Sequence, residues 1–169
     1  KTTLMLPILI FLSGCASIAS LTVRPFDPVQ YDYTVKIAAN TTHAVHRCSD
    51  QQGVEYQHWL QAVNHDSFTL AEYIQNKPES LQVDTAVSQL RAIVVSFTES
   101  PKPSERYCQH RLSNVQASAR MLGRTFSADD RYDTCQGDVQ SRYSLFEASY
   151  KAKDISKSEF SSLVHDLLA

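Results

Sequence analysis

The stretch LQVDTAVSQLRAIVVSF, Leu81 to Phe97, decides the fold. Val83, Ala86, Val87, Leu90, Ile93, Val94 and Phe97 recur at steps of three and four. That is the period of one helical face and not the alternation of a strand. A stripe this broad predicts the most deeply buried helix of the chain. On its carboxyl side, ESPKPSE (99–105) breaks the pattern, because two prolines cannot continue a helix interior. The period resumes from Ser104 through Cys108, Leu112, Val115, Ala119 and Leu122, and Gly123 predicts its end. A further helix is expected from Ser127 and Asp129 or Asp130, with Tyr132, Cys135, Val139, Tyr143, Phe146 and Tyr150 facing inward. Gly137 weakens it by about 1 kcal/mol relative to alanine without ending it. The last element has the clearest start: Ser156 and Glu159 form a capping box, and Ile155 and Phe160 stand at the staple positions. Leu163, Val164, Leu167 and Leu168 complete its apolar face.

On the amino side of Leu81 the reading is again helical. Asp27-Pro28 is a start signal, a capping carboxylate followed by proline at the first helical position. Val29, Tyr33, Ile37, Ala44, Val45 and Cys48 form the stripe of a helix that ends before Gly53. Two short helices follow, EYQHWLQAV (55–63) and FTLAEYIQN (68–76), with Asn64-His65-Asp66-Ser67 between them and Pro78 beyond. The expectation is all-α: one domain over 27–169, an up-down bundle of about five to six helices.

Composition agrees. A chain of 169 residues with 43% apolar and 20% charged residues is long enough for one domain with a core. Four glycines are too few for a hairpin-rich sheet. The formal charge of −2, or −3 without Lys1 (15 basic against 18 acidic residues), is no footprint for nucleic acid and gives no broad electrostatic pull toward anionic lipid.

Upstream of the bundle lies LMLPILIFL, Leu4–Leu12, preceded by Lys1. It falls well short of the roughly 20 apolar residues that span a bilayer, and it has the charged start and apolar centre of a secretory signal. Leu12-Ser13-Gly14-Cys15 directly follows. It resembles the lipobox of bacterial lipoproteins, at which the cysteine is lipidated and the chain cut before it. The resemblance covers the first tenth of the chain. It implies a signal peptide over 1–14, a lipidated Cys15 opening a tether over 15–26, and attachment to a membrane. By the sorting pattern of enterobacterial lipoproteins, Ala16 after the cysteine implies the outer membrane, with the domain facing the periplasm or the cell surface. Several acyl chains hold a protein stably, at roughly 0.8 kcal/mol per buried methylene.

Setting Cys15 aside leaves Cys48, Cys108 and Cys135 as disulfide candidates, an odd number for an oxidising compartment. If the two short helices act as one descending leg, Cys48 and Cys108 both lie near the top of the bundle. Cys135 then lies about 10 Å lower, at 1.5 Å per residue. Bridged Cα atoms must come within about 7 Å, which favours Cys48–Cys108 ahead of Cys108–Cys135.

His43, His46 and Cys48 invite a metal reading, but no carboxylate has the spacing to complete a site. No metal or other cofactor is expected. No nucleophile elbow, His-Glu-x-x-His pair, Ser-x-x-Lys or phosphate loop occurs, so no catalytic residue is assigned. The expected function is a non-enzymatic, membrane-anchored accessory or assembly factor that binds a protein of the envelope. In overall plan it is similar to secretion pilotins, or to exclusion lipoproteins carried by phages and plasmids. The alternative is a carrier of a small molecule or lipid in a bundle cavity, for which Ala86, Ala117, Ala119 and Ala128 are candidate lining residues.

Overall fold

The computed structural model describes residues 26–77, 81–99, 103–126 and 135–168. Among them are six α-helices and no strand: α1 Pro28–Val45, α2 Val54–Gln75, α3 Leu81–Glu99, α4 Glu105–Phe126, α5 Cys135–Lys151 and α6 Lys157–Leu168. A 3₁₀ turn, Cys48–Asp50, lies between α1 and α2. The all-α bundle expected from the periodicity is the fold.

Helices α1 to α4 close a ring in which α1 touches α2 and α4, α2 touches α3, and α3 touches α4. Their directions follow from contacts at the helix ends. The Asp27 N–H donates to the Phe126 carbonyl at 3.3 Å, joining the start of α1 to the end of α4. Lys77, just past α2, pairs with the Asp27 carboxylate, so α1 and α2 are antiparallel as well. The stripe read in α3 is buried inside this ring: Val83, Ala86, Val87, Leu90, Ile93 and Val94 pack with Ile37, Val63, Leu70, Val115 and Leu122. A second, smaller cluster of Tyr107, Phe146, Ile155 and Leu163 seats α5 and α6 on the outer side of α4.

Local chemistry sets the helix boundaries. The Asp27 carboxylate accepts the N–H groups of Val29 and Gln30 at 3.0 and 3.1 Å. It thereby satisfies donors that have no partner inside the helix. Ser104 caps α4 through the Tyr107 N–H. At the end of α5, Lys153 takes a left-handed conformation (φ 65°). The N–H groups of Lys153 and Asp154 return to the carbonyls of Tyr150 and Ser149, closing a Schellman motif without glycine.

The capping box of α6 forms as read: the Glu159 N–H donates to Ser156 Oγ, and Glu159 Oε2 accepts the Ser156 N–H at 2.7 Å. Its other oxygen accepts the Ser104 N–H at 2.9 Å, so one carboxylate serves the first turns of α6 and α4. Partial burial alone would raise the pKa of Glu159, but the N–H groups of Ser156 and Ser104 outweigh it and hold the acid below its ordinary 4.5. A depressed carboxylate stabilises the fold above its unfolded pKa, and that contribution is lost as pH falls through the folded value. The amide resonances of Ser104 and Ser156 should therefore titrate together with a midpoint below 4.5. A shared midpoint at or above that value, or two unrelated ones, contradicts the bridge.

Several boundaries differ from the sequence reading. The two short helices are one helix of 22 residues. Asn64-His65-Asp66-Ser67 does not interrupt it, because the inward-turned Ser67 and the partly buried Asp66 find partners in place. Ser67 Oγ donates to the Asn64 carbonyl, and Asp66 accepts from Asn40 of α1. Gly123 does not end α4, which runs on to Phe126. A Cβ at Gly123 would stand 2.9 Å from Thr34 Oγ1, so this glycine permits the close approach of α1 and α4.

Helix α1 ends at Val45, and Cys48 lies in the following 3₁₀ turn. Its buried face is also rotated from the one expected. Val29 is exposed, and Gln30, Thr34 and Thr41 are buried beside Ile37, Ala38 and Ala44. The threonines are admitted because their hydroxyls donate to the carbonyls of Tyr31 and Ile37. Tyr150 is exposed and stacks on Phe160 instead of entering the core. The expected helix start at Ser127, Asp129 or Asp130, with Tyr132, lies outside the described residues.

Candidate functional site

Of the residues singled out from sequence, Cys48 and Cys108 are brought together. Their sulfurs are 2.10 Å apart and their Cα atoms 5.8 Å apart, the pairing favoured above. The bond clamps the far end of α1 to the first turn of α4, inside a buried cluster with Ala44, Tyr56, Leu60 and Leu112. The Tyr56 hydroxyl lies 3.6 Å from Cys108 Sγ, and burial pushes the phenol's pKa above its ordinary value, so it stays neutral. Gln51 Nε2 donates to the Pro103 carbonyl at 3.0 Å, fastening the 3₁₀ turn to the residues entering α4. Cys135 opens α5. The lipobox and Cys15 lie outside the described residues.

His43, His58 and His110 are placed by aromatic packing. His43 stacks on Trp59 with ring centroids 4.4 Å apart, and His58 meets the same indole edge-on. With Cys48 in the disulfide, His43, His46 and Cys48 do not form a ligand set. Among the described residues no group of three or more His, Cys, Asp or Glu could hold a metal ion. His110 is half-buried against Phe146, with Nε2 2.8 Å from Ser149 Oγ. Burial, helped by the Arg106 charge, keeps its pKa below the usual histidine value, so the imidazole stays neutral between α4 and α5.

Open clefts between neighbouring helices of the ring include two formed by described residues. One, between α2 and α3, has a volume of 580 Å³ and is lined by Phe68, Glu72, Gln75, Arg91 and Val95 among others. The Arg91 guanidinium lies over the Phe68 ring at 4.4 Å. The other, between α1 and α4, has a volume of 420 Å³. Among its lining residues Ala38, Ala119 and Gly123 are buried and small, and Tyr31, Val35, Arg120 and Arg124 are exposed and form its rim. Close packing at Gly123 joins the two helices here, and the exposure of Tyr31 and Val35 gives the cleft an apolar edge. Neither cleft was identified in the sequence, because each depends on which helices become neighbours. Of the four alanines considered for a carrier cavity, Ala86 is packed into the core, Ala117 is half-buried, Ala119 is buried and also lines the α1–α4 cleft, and Ala128 lies outside the described residues.

A buried ion pair was also missed. Arg111 of α4 reaches Asp166 of α6 at 2.9 Å, with both side chains at most a tenth exposed. Its guanidinium also donates to Ser96 of α3 and lies over the rings of Phe97 and Tyr107. Arg111 stands three residues after Cys108 and four before Val115, at the edge of the apolar stripe; the spacing admits burial, but a lone charge gives no sign of the partner that makes burial tolerable.

Among the described residues no helix is long and apolar enough to cross a membrane. The chain matches no known family model, no curated protein and no solved structure.

Proposed function

We propose that the chain is a lipoprotein of the bacterial outer membrane, held by acyl chains on Cys15, whose helical bundle is a non-enzymatic protein-binding or assembly factor for an envelope complex. The observation that carries this reading is the order of LMLPILIFL, Leu12-Ser13-Gly14-Cys15 and a small-residue tether ahead of a domain that begins at Asp27. The proximity of Cys48 and Cys108 fits it, since disulfides persist in oxidising compartments such as the periplasm. Two open clefts on an all-helical body suit the docking of a partner segment. An anchor would confine the bundle to one membrane face and raise its effective concentration toward partners there.

Cys15→Ser is expected to leave the bundle folded and to abolish palmitate incorporation in cells; a variant that still takes up label removes the anchor. Crosslinking in intact cells should recover one discrete envelope protein with the wild-type chain. A co-purified small molecule or lipid seen by native mass spectrometry, with no such protein, replaces this reading with that of a carrier.

A further inference from the structure

The end of the bundle at which the chain emerges from the tether is also where Phe26 and the first half of α1 expose apolar side chains. Phe26, Tyr31 and Val35 are 56%, 39% and 46% exposed, and the rings of Phe26 and Tyr31 meet at 5.8 Å. Tyr31 and Val35 form one rim of the α1–α4 cleft, and Arg120 belongs to the facing rim. The Asp27–Phe126 hydrogen bond fixes the last turns of α4, with Arg120 and Arg124, beside this strip. Among the described residues, Asp27 and Asp32, which flank the strip in sequence, are engaged with Lys77 and Lys36. The surface is therefore aromatic and aliphatic with a basic border. That composition suits the interface of a phospholipid bilayer, where amphipathic rings sit at headgroup level and cations meet phosphates.

Chain length supplies the second argument. Ten residues, 16–25, separate Cys15 from Phe26. Fully extended, they let the two residues part by at most about 35–40 Å. A contact too weak to bind a membrane alone is then made at high effective concentration. The overall negative charge does not oppose it, because screening leaves only charges within about 10 Å of the contact effective.

We propose that the Phe26–Tyr31–Val35 strip with its Arg120 border rests on the headgroup surface of the bilayer that holds Cys15. This orients α1 and α4 with their disulfide-clamped end away from the membrane. The inference depends on the anchor reading above.

The test uses the full chain, checked for acylation by intact mass and reconstituted into vesicles of phosphatidylethanolamine and phosphatidylglycerol with brominated acyl chains. The natural Trp59 reports the far end, beside His43 and some 22 Å along α1 from Pro28. Tyr31→Trp combined with Trp59→Phe places the only indole on the strip. Phe26→Trp with Trp59 retained is a second reporter should the first variant misfold. Quenching of the indole on the strip is expected to be about twofold or more stronger than that of Trp59, and Arg120→Glu should reduce it. Equal, weak quenching at both ends of an acylated chain overturns the contact and leaves the anchor standing. A chain with no acyl group on Cys15 overturns both. A photocrosslinker in place of Tyr31 that captures a discrete protein in intact cells, and no phospholipid, assigns the face to that protein and overturns the contact.

Discussion

Arg111→Ala should destabilise the folded chain by about 3–5 kcal/mol, because it strands a buried carboxylate. Asp166 is 10% exposed and takes the Arg111 Nε hydrogen at 2.9 Å. Without that partner it must stay ionised in a poorly solvated site, take up a proton, or pull α6 away from α4. The variant also deletes the donor to Ser96 and the cation packed over Phe97 and Tyr107. Three helices, α3, α4 and α6, thus lose a common partner. Urea unfolding followed by circular dichroism measures the change. Asp166→Asn should cost less, since it retains an acceptor and leaves a cation that can be drawn toward water. The paired replacement Arg111→Met with Asp166→Leu should return close to the parent, since two apolar groups need no compensation. A loss below about 1 kcal/mol for Arg111→Ala would show that the pair is solvated and does not fasten α6.

Removing the Cys48–Cys108 bond is the second large effect. It closes a loop with a sequence separation of 60. On a chain-entropy account a loop of that length contributes about 4 kcal/mol, and removal of natural disulfides generally costs 2–5 kcal/mol. With about 3–4 °C of midpoint per kcal/mol for a domain of this size, the melting temperature should fall by roughly 10 °C or more. Cys48→Ala with Cys108→Ala is the better variant, because serines would place hydroxyls in the cluster of Ala44, Leu60 and Leu112. The double variant should match the parent protein melted under reductant. A melting temperature indifferent to reductant would mean that the cysteines are not bonded in solution.

The sequence revealed the fold wherever apolar spacing alone decided burial. The stripes of α3 and α4 are buried almost residue for residue, from Val83 to Val94 and from Cys108 to Leu122. Asp27 and Ser156 could be read because a cap is a local contract between a side chain and the next turn. The pairing of Cys48 with Cys108 followed from helix lengths and alternating directions, even though the leg between them was read as two pieces. What escaped were polar residues whose burial is decided by helices far away in sequence. Thr34, Thr41 and Ser67 look like surface or breaker residues, yet they are buried with their hydroxyls on carbonyls of their own helix. Arg111 and Asp166 are 55 residues apart and meet only once α6 has docked. Gly123 reads as a stop until the neighbouring Thr34 shows why no side chain fits there. The two clefts were illegible for the same reason, since their walls come from different helices.

The bond between Cys48 and Cys108 also determines how the molecule answers a pull. Tension entering through Phe26 would peel α1 away from α4, breaking the Asp27–Phe126 hydrogen bond first. Residues 26–47 could pay out, about 75 Å of extended chain. At Cys48 the strain crosses the covalent bond into α4 and bypasses α2 and α3 altogether. The segment 49–107 would carry no load while the sulfurs stay joined, so the chain has a mechanical stop built in at that depth.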